Sequence, residues 1–440
     1  MIASEYSAGT VLTLLSVMSA ETTPFYDKDV NDMRSGSEKR KIVLGITGSI
    51  AAYKSAELAR YFVTRGYQVR VVMTESAAQF ISPLTFEAIT GHPVSREFWD
   101  ETQPGAIGHI ALADWADVLV VAPASADFLA KLAHGFADSP LLAVALATKA
   151  PLVLAPAMNV NMYENSQTQI NLQHLRDRGA LMVEPDSGAL ACGWEGKGRL
   201  AHHREIFFHV RRALTDQDLR GRRVVISTGP TREAIDPVRF ISNRSSGKMG
   251  VALASEAFRR GADVTLVHGP ISLPVKVPRD VRCVPVVSAA EMRDALFSHT
   301  FGGEATTAAD IVIMAAAVAD CRPEAVGLEK IKKGDLPSSF SVVPNPDILA
   351  ELGARKGGGR SPRLVGFAVE TGDVEHLLSE VRRKLSQKNA DLIVGNFAAD
   401  AFDRDTNRVW LVNRAGREEE VSTTYKSRIA TRIFDAIVKL

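Results

Sequence analysis

Three side chains in the first half of this sequence sit where chemistry is easy to arrange. Asn159 follows the apolar run 152–155 across the turn Pro156-Ala157-Met158. A short apolar run bounded by turn residues reads as a buried strand. Asn159 therefore stands just past a strand end, where its amide N–H groups can bind a carboxylate. Cys192 lies between small residues in Ala191-Cys192-Gly193, ahead of Gly196-Lys197-Gly198-Arg199. Such glycine-rich surroundings let its sulfur approach a ligand and suggest a mobile flap. His109, in Gly108-His109-Ile110, opens a segment ending Trp115-Ala116-Asp117, and an imidazole can accept a proton near neutral pH. Each residue also has an ordinary reading, as a turn asparagine, a small buried thiol or a structural histidine.

The second half carries candidates of another kind. Ser245-Ser246-Gly247-Lys248-Met249-Gly250 reads as a small-residue loop opening a helix. Backbone N–H groups and the helix dipole can hold a phosphate at such a place. The loop lacks the first glycine of a Walker motif at the required spacing. Two polar strings precede it, Ser227-Thr228-Gly229-Pro230-Thr231-Arg232-Glu233 and Asp236-Pro237-Val238-Arg239-Phe240-Ile241-Ser242-Asn243. Downstream, Ala315-Ala316-Ala317-Val318-Ala319-Asp320 follows an apolar run. Small residues there let a nucleotide approach the backbone, and Asp320 can accept a hydrogen bond or help hold a metal. Lys330-Ile331-Lys332-Lys333 lies in the stretch 321–346, rich in Lys, Gly and Pro; a long loop of this kind is functional or disordered. The first half has its own strand-to-helix turn at Gly48-Ser49-Ile50. Thr74, Ser76, Ala124 and Ser125 follow two further apolar runs, where Thr74 and Ser125 suit helix caps equally well.

One plan of elements, used twice, must position these groups. Residues 41–46 form a buried-strand pattern, Gly48-Ser49 a turn, and a helix from Ile50 ends at Arg65-Gly66 before a strand at 69–73. Residues 223–227, the following turn, a helix from about Gly250 to Arg260-Gly261 and a strand at 264–267 repeat the order. Further strands are expected at 118–122, 152–155 and 180–183, then at 311–315, 364–367, 392–394 and 409–412. Strands alternating with helices imply α/β architecture: two doubly wound, mostly parallel sheets covered on both faces. In such sheets ligands bind at the carboxyl ends of the strands, and every motif above falls there. The link between halves is expected near 215–221, giving domains at 39–215 and 216–440 behind a loose extension at 1–38.

Composition narrows the classes. At 440 residues the chain can build two cores. Lys+Arg is 52 against Asp+Glu 51, so the basic footprint of a broad nucleic-acid binder is missing. Cys192, Cys283 and Cys321 are odd in number and far apart, which fits a reducing cytoplasm better than a disulfide framework. No apolar run is long enough to span a bilayer, and the mildly apolar stretch 10–18 lacks the flanks of a signal peptide.

The Asn159 and Cys192 strings resemble the substrate loop and flexible cysteine flap of phosphopantothenoylcysteine decarboxylases, a branch of the flavin-dependent cysteine decarboxylases. The strings from Ser227 to Gly250 closely match the phosphopantothenate–cysteine ligase family. From about residue 40 to 440, the chain resembles the fused bifunctional enzyme of coenzyme A synthesis. The resemblance implies a flavodoxin-like first domain and a Rossmann-like second one. In the first it implies FMN held by Gly48, Ser49, Ile50, Thr74, Ser76, Ala124 and Ser125, with His109, Asn159 and Cys192 catalytic. In the second it implies a CTP site of Ser245, Ser246, Gly247, Lys248, Ala315, Ala316, Asp320, Lys330, Pro346, Asp347, Ile348, Leu349, Phe367, Lys384 and Lys388. There Asn243, Arg239 and Lys330 are catalytic and Mg2+ assists. The substrates would be 4′-phosphopantothenate, cysteine and CTP, and the relatives' packing implies a homo-oligomer, with no nucleic-acid or membrane partner. This sequence departs from the family's usual pattern at Ser49, Asp127, Tyr163 and Phe397, and in the spacing before Lys384.

Two rivals keep the fold but change the function. A flavin prenyltransferase-like flavoprotein would not explain Asn159 together with Cys192, or the ligase strings. A noncatalytic regulatory homologue would have no reason to keep His109, Asn159, Cys192, Asn243 and Lys330.

Overall fold

The computed structural model describes residues 39–98, 108–189, 193–271, 277–302, 308–333, 339–356, 361–401 and 404–440. Cys192 and the N-terminal extension lie outside the described residues.

The first sheet contains β1 (Lys41–Ile46), β2 (Gln68–Met73), β3 (Val118–Ala124), β4 (Leu152–Pro156) and β5 (Leu181–Met182). Their order is β2-β1-β3-β4-β5 and all pairs are parallel. β1 and β3 are almost wholly buried because helices cover both faces, which is why they read as continuous apolar runs rather than alternating ones. One face packs Leu58 and Phe62 of the helix Lys54–Thr64 against Ile42 and Leu44. The other packs Leu112, Leu129 and Leu141, from three helices, against Val43 and Leu119. An antiparallel hairpin, β6 (Asp186–Ala189) with β7 (Glu195–Arg199), follows the sheet.

The second sheet is larger. Its strands are β8 (Arg223–Thr228), the small hairpin pair β9 (Arg232–Ala234) and β10 (Phe240–Ser242) lying apart, then β11 (Asp263–His268), β12 (Arg282–Pro285) and β13 (Ile311–Met314). A second detached pair, β14 (Cys321–Pro323) with β15 (Val342–Pro344), gives the 321–346 stretch a short ladder. The sheet continues with β16 (Arg363–Glu370), β17 (Leu392–Phe397), β18 (Thr406–Asn413) and β19 (Glu418–Tyr425). Its order is β12-β11-β8-β13-β16-β17-β18-β19, parallel as far as β17 and antiparallel beyond.

The helix His203–Ala213 joins the halves. Ile206, Phe207 and Val210 enter the first half's core, while Phe208 enters the second's. Burying an aromatic side chain of this size is worth about 1.5–3 kcal/mol, so this helix is fastened at both ends of its cross-section. Arg212 adds hydrogen bonds to the carbonyls of Phe258 (3.0 Å) and Gly261 (3.1 Å).

Candidate active sites

Both sheets reverse their winding at one point. In the first, chain order runs outward from β1 to β2 and then returns past it to β3; in the second, it runs from β8 to β12 and returns to β13. The loops leaving β1 and β3, or β8 and β13, therefore diverge and leave a crevice at the strand ends. A cavity lies at each.

The first cavity, of about 450 Å³, is lined by Gly48, Ser49, Ile50, Lys54, Ser125, Met158, Asn159, Met162 and Arg199 among others. A Cβ on Gly48 would stand 2.5 Å from Cβ of Ser76, so the turn lies flush against the chain leaving β2. Ser49 Oγ accepts the Ala51 N–H (3.2 Å) and caps the turn, a use that explains how serine serves at this position. The hydroxyl can still donate. Thr47, which sequence reasoning missed, ties two loops together: its hydroxyl donates to the Pro123 carbonyl (2.8 Å) and accepts the Ser125 N–H (2.8 Å). The signal was a hydroxyl ending an otherwise apolar run. Thr74 and Ser125 both cap helices, accepting the N–H groups of Ala77 and Phe128 at 3.2 Å. Thr74, Ser76 and Ala124 do not line the cavity. Apolar walls and a polar turn at a helix start fit a flat ring system carrying a phosphate.

Asn159 caps the helix Val160–Glu164, its Oδ1 accepting the Asn161 N–H at 2.8 Å. β7 holds this loop from behind. Gly198 has φ +154°, and a Cβ there would lie 2.3 Å from the Met158 carbonyl oxygen. The Met158 N–H in turn donates to the Gly198 carbonyl (3.0 Å). Lys197 and Arg176 both reach Glu184 at 2.6 Å, and the Tyr163 hydroxyl donates to it at 2.9 Å. Partial burial works against ionisation of Glu184, but the hydrogen bonds from Lys197 and Tyr163 and the two cations outweigh it and hold its carboxyl below the usual range. Tyr163 thus has a defined role as a donor to Glu184. Asp127 faces Lys131 (3.4 Å) on its own helix and does not line the cavity.

His109 lines a different cavity, of about 180 Å³, with Arg70, His92, Glu97 and Phe98. Its helix, Gly108–Trp115, packs on the opposite face of the sheet from the helix Lys54–Thr64. Phe98 stands edge-on to the imidazole at 5.5 Å, and buried Nδ1 has no hydrogen-bond partner among the described residues.

The second cavity, of about 750 Å³, gathers residues from across the second half. Asn243, Ser245, Ser246, Gly247, Lys248, Ala315, Ala316, Asp320, Pro346, Asp347, Ile348, Leu349, Phe367 and Lys388 all line it. Its floor is tight. A Cβ on Gly250 would fall 2.2 Å from Thr228, whose hydroxyl donates to the Gly247 carbonyl at 2.9 Å. The Asn243 amide donates to the Val318 carbonyl (2.9 Å) and the Asn345 amide to the Ala319 carbonyl (2.9 Å). Lys248 meets Asp405 (2.8 Å) and Lys388 meets Asp347 (3.0 Å). Buried Asn396, Asn407 and Lys426 also line it. Asn407 and Lys426 escaped sequence reasoning, whereas Asn396, at the end of the apolar run 392–395, entered it as the position before Phe397. Phe397 packs edge-on against Trp410 at 5.4 Å.

Lys384, Lys330 and Arg239 do not line this cavity. Lys384 pairs with Glu370 at 2.6 Å. Arg239 and the Lys330 loop are stapled together by Asp236. Its carboxylate accepts the N–H groups of Val238 (2.8 Å), Arg239 (2.7 Å) and Ile331 (3.3 Å) and the Arg239 guanidinium (3.0 Å). Arg239 also donates to the Ile331 carbonyl (3.1 Å). Seclusion from water raises the cost of charging Asp236, but these donors outweigh it and hold its carboxyl below the ordinary value. Among the described residues no three His, Cys, Asp or Glu side chains cluster as metal ligands, and no helix is long and apolar enough to cross a membrane.

Two crevices, each at the switch point of a doubly wound sheet, define a two-domain α/β protein with a candidate ligand site in each half. The flavoprotein family model matches residues 31–215, and that of the DNA/pantothenate metabolism flavoprotein C-terminal domain matches 219–440. The coenzyme A biosynthesis bifunctional protein CoaBC of Vibrio cholerae is 44% identical over 403 residues, covering 90% of this chain and 98% of that protein. Those of Bacillus subtilis and Escherichia coli K12 are each 43% identical, over 408 and 407 residues, covering 91% of this chain and 97% of theirs. The chain belongs to this family of bifunctional coenzyme A biosynthesis proteins. It is an enzyme with a decarboxylase half and a ligase half, as its motifs implied, and a flavin is the cofactor of the first.

Proposed function

We propose that the second half joins cysteine to 4′-phosphopantothenate at the expense of CTP, and that the first half decarboxylates the product to 4′-phosphopantetheine with FMN. The observation that carries this reading is the pairing of motif with crevice. Asn159 shares a cavity with the Gly48-Ser49-Ile50 turn, and Asn243 shares one with the Ser245–Lys248 loop.

In the ligase half, the substrate carboxylate attacks the α-phosphate of CTP and expels pyrophosphate. The cysteine amine then displaces CMP from the acyl-cytidylate. Lys330 neutralises charge in the first step, and Asn243 and Arg239 position the acyl group for the second. Asp320 would hold a Mg2+ ion together with the phosphates of CTP, since magnesium takes one or two carboxylates and substrate phosphates as ligands, and the ion would neutralise charge on the leaving pyrophosphate.

In the decarboxylase half, Ser49 and the backbone N–H groups of its turn would hold the FMN phosphate, and Ile50 and Met158, which line the same cavity, would offer apolar surface to the cofactor. The chemistry a bound FMN supplies is a temporary two-electron sink at the cysteine-derived carbon, with no net redox change. Asn159 binds the departing carboxylate, His109 serves as base, and Cys192 returns a proton. His109 and Asn159 act on one substrate in this reading yet line separate cavities of one chain. That separation supports a homo-oligomer in which one copy's His109 faces another copy's Asn159. Free Cys283 and Cys321 fit a cytoplasmic enzyme.

The test supplies purified full-length protein with 4′-phosphopantothenate, cysteine, CTP and Mg2+ and weighs the products. Expected are pyrophosphate, CO2 and 4′-phosphopantetheine, with a yellow flavin spectrum. A colourless protein that releases no pyrophosphate on adding CTP overturns the reading.

A further inference from the structure

β6 and β7 carry Cys192 between them, and the two strands are held by different halves of the molecule. β7 is held by its own half, through Lys197 on Glu184, and through Gly196 and Gly198 against Val160 and Met158. The root of β6 is Asp186, and its carboxylate accepts a hydrogen bond from the guanidinium of Arg279, which belongs to the second half. Arg279 is itself fixed. Its backbone N–H donates to buried Glu205 (3.1 Å), and its neighbour Asp280 meets buried His209 at 3.2 Å. Val281 completes the anchor inside the second half's core. Opposite Asp186 in the hairpin lies Arg199, which lines the first cavity and crosses Gly188 so closely that a Cβ there would stand 2.8 Å from its guanidinium.

A two-stranded hairpin is marginal in isolation, so the grip on its root decides how firmly β6 and β7 are held. We propose that Arg279 of the ligase half is a positioning residue for the decarboxylase: by pairing with Asp186 it pins the root of the Cys192 hairpin and couples the two halves mechanically. The flavin-side reaction then borrows rigidity from the neighbouring activity's domain. This rests on the reading of the hairpin as the decarboxylase flap.

The test uses full-length, FMN-loaded protein in three forms: Arg279→Gln, Asp186→Asn, and the exchanged pair Arg279→Asp with Asp186→Arg. Two readouts are taken, hydrogen exchange across residues 186–199 and the rate at which the flavin regains its oxidised spectrum in a single turnover. Loss of a half-exposed ion pair should speed exchange and slow the flavin's return by about fivefold each, leaving CTP-dependent pyrophosphate release unchanged. The exchanged pair should restore both. Cys192→Ser separates the two ideas, since a serine hydroxyl is a far weaker acid than a thiol. If its flavin returns at the normal rate, the flap reading itself falls. If Cys192→Ser stalls while Arg279→Gln and Asp186→Asn keep normal exchange and normal return, or if ligation falls with them, the role of Arg279 is overturned.

Discussion

The two crevices differ in how much of their assigned machinery one chain brings together. The second half's cavity collects Asn243, the Ser245–Lys248 loop, Ala315, Asp320 and Asp347 from several strand ends, and Lys330, Arg239 and Lys384 stay outside it. The flavin-side cavity collects Gly48, Ser49, Ser125 and Asn159 but leaves His109 in another pocket. The cause is topological. β8, β13 and β16 are neighbours in their sheet, so loops from their carboxyl ends converge. His109 sits on a helix that precedes its strand and packs on the far face. A parallel sheet gathers the loops that leave its strands, not the helices that lead into them.

The sharpest way to break this contrast is complementation. His109→Asn and Asn159→Asp should each lower CO2 release about 100- to 10,000-fold, the range for losing an acid–base or charge-positioning group, with ligation intact. Mixed and reassembled, the two dead variants should recover a measurable fraction of wild-type activity, because some interfaces then contain one intact residue of each kind. If each variant is inactive alone and the mixture stays inactive, one chain supplies both groups and the separation seen here closes in some other way. Near-normal activity in either variant removes that residue from the mechanism.

On the ligase side, Lys330→Gln and Asn243→Asp should separate two chemical steps. Loss of charge neutralisation at Lys330 should cut pyrophosphate release about 100- to 1,000-fold. The Asn243 variant should still release pyrophosphate and accumulate the acyl-cytidylate, visible by mass spectrometry of quenched reactions. Accumulation in the Lys330 variant and absence in the Asn243 variant would reverse the roles.

Two glycines give a matched pair across the halves. Gly198→Ala places a methyl 2.3 Å from the Met158 carbonyl, and Gly250→Ala places one 2.2 Å from Thr228. Overpacking of this kind costs about 1–3 kcal/mol. The first should impair decarboxylation and spare ligation, and the second should do the reverse. Equal damage to both activities by either variant would mean that the halves do not fold as separable sites.

Much of the fold is legible in the sequence because parallel strands buried on both faces leave long apolar runs. β1 falls at the expected 41–46, and β8 and β13 start where expected. Pairing that depends on distant partners stayed hidden. β18 and β19 close the second sheet antiparallel, and half-exposed β19 has no apolar run to announce it. Asp236 is invisible as a staple until Arg239 and Ile331 are seen to converge on it. The flavin-side turn was legible as a motif, whereas Thr47 acts through contacts more than seventy residues away.

The smallest expected effect concerns the joint between the halves. Burial of His209 disfavours its charged form, but the Asp280 carboxylate at 3.2 Å and the Glu205 carbonyl at 3.0 Å outweigh this and raise its basicity above the ordinary value of 6.5. A group whose basicity is raised on folding contributes stability that is complete below its unfolded value and is lost as pH climbs through the folded one. As pH climbs above the ordinary histidine value, wild-type protein should therefore lose stability that Asp280→Asn, lacking the carboxylate on Nε2, loses to a smaller extent. Half-exposure of Asp280 limits the difference to about 1 kcal/mol. Glu205, whose carboxyl burial pushes upward, is common to both proteins and cancels in the comparison. Denaturant midpoints measured across that range provide the check. Parallel curves for the two proteins would show that the Asp280 carboxylate does not raise the basicity of His209.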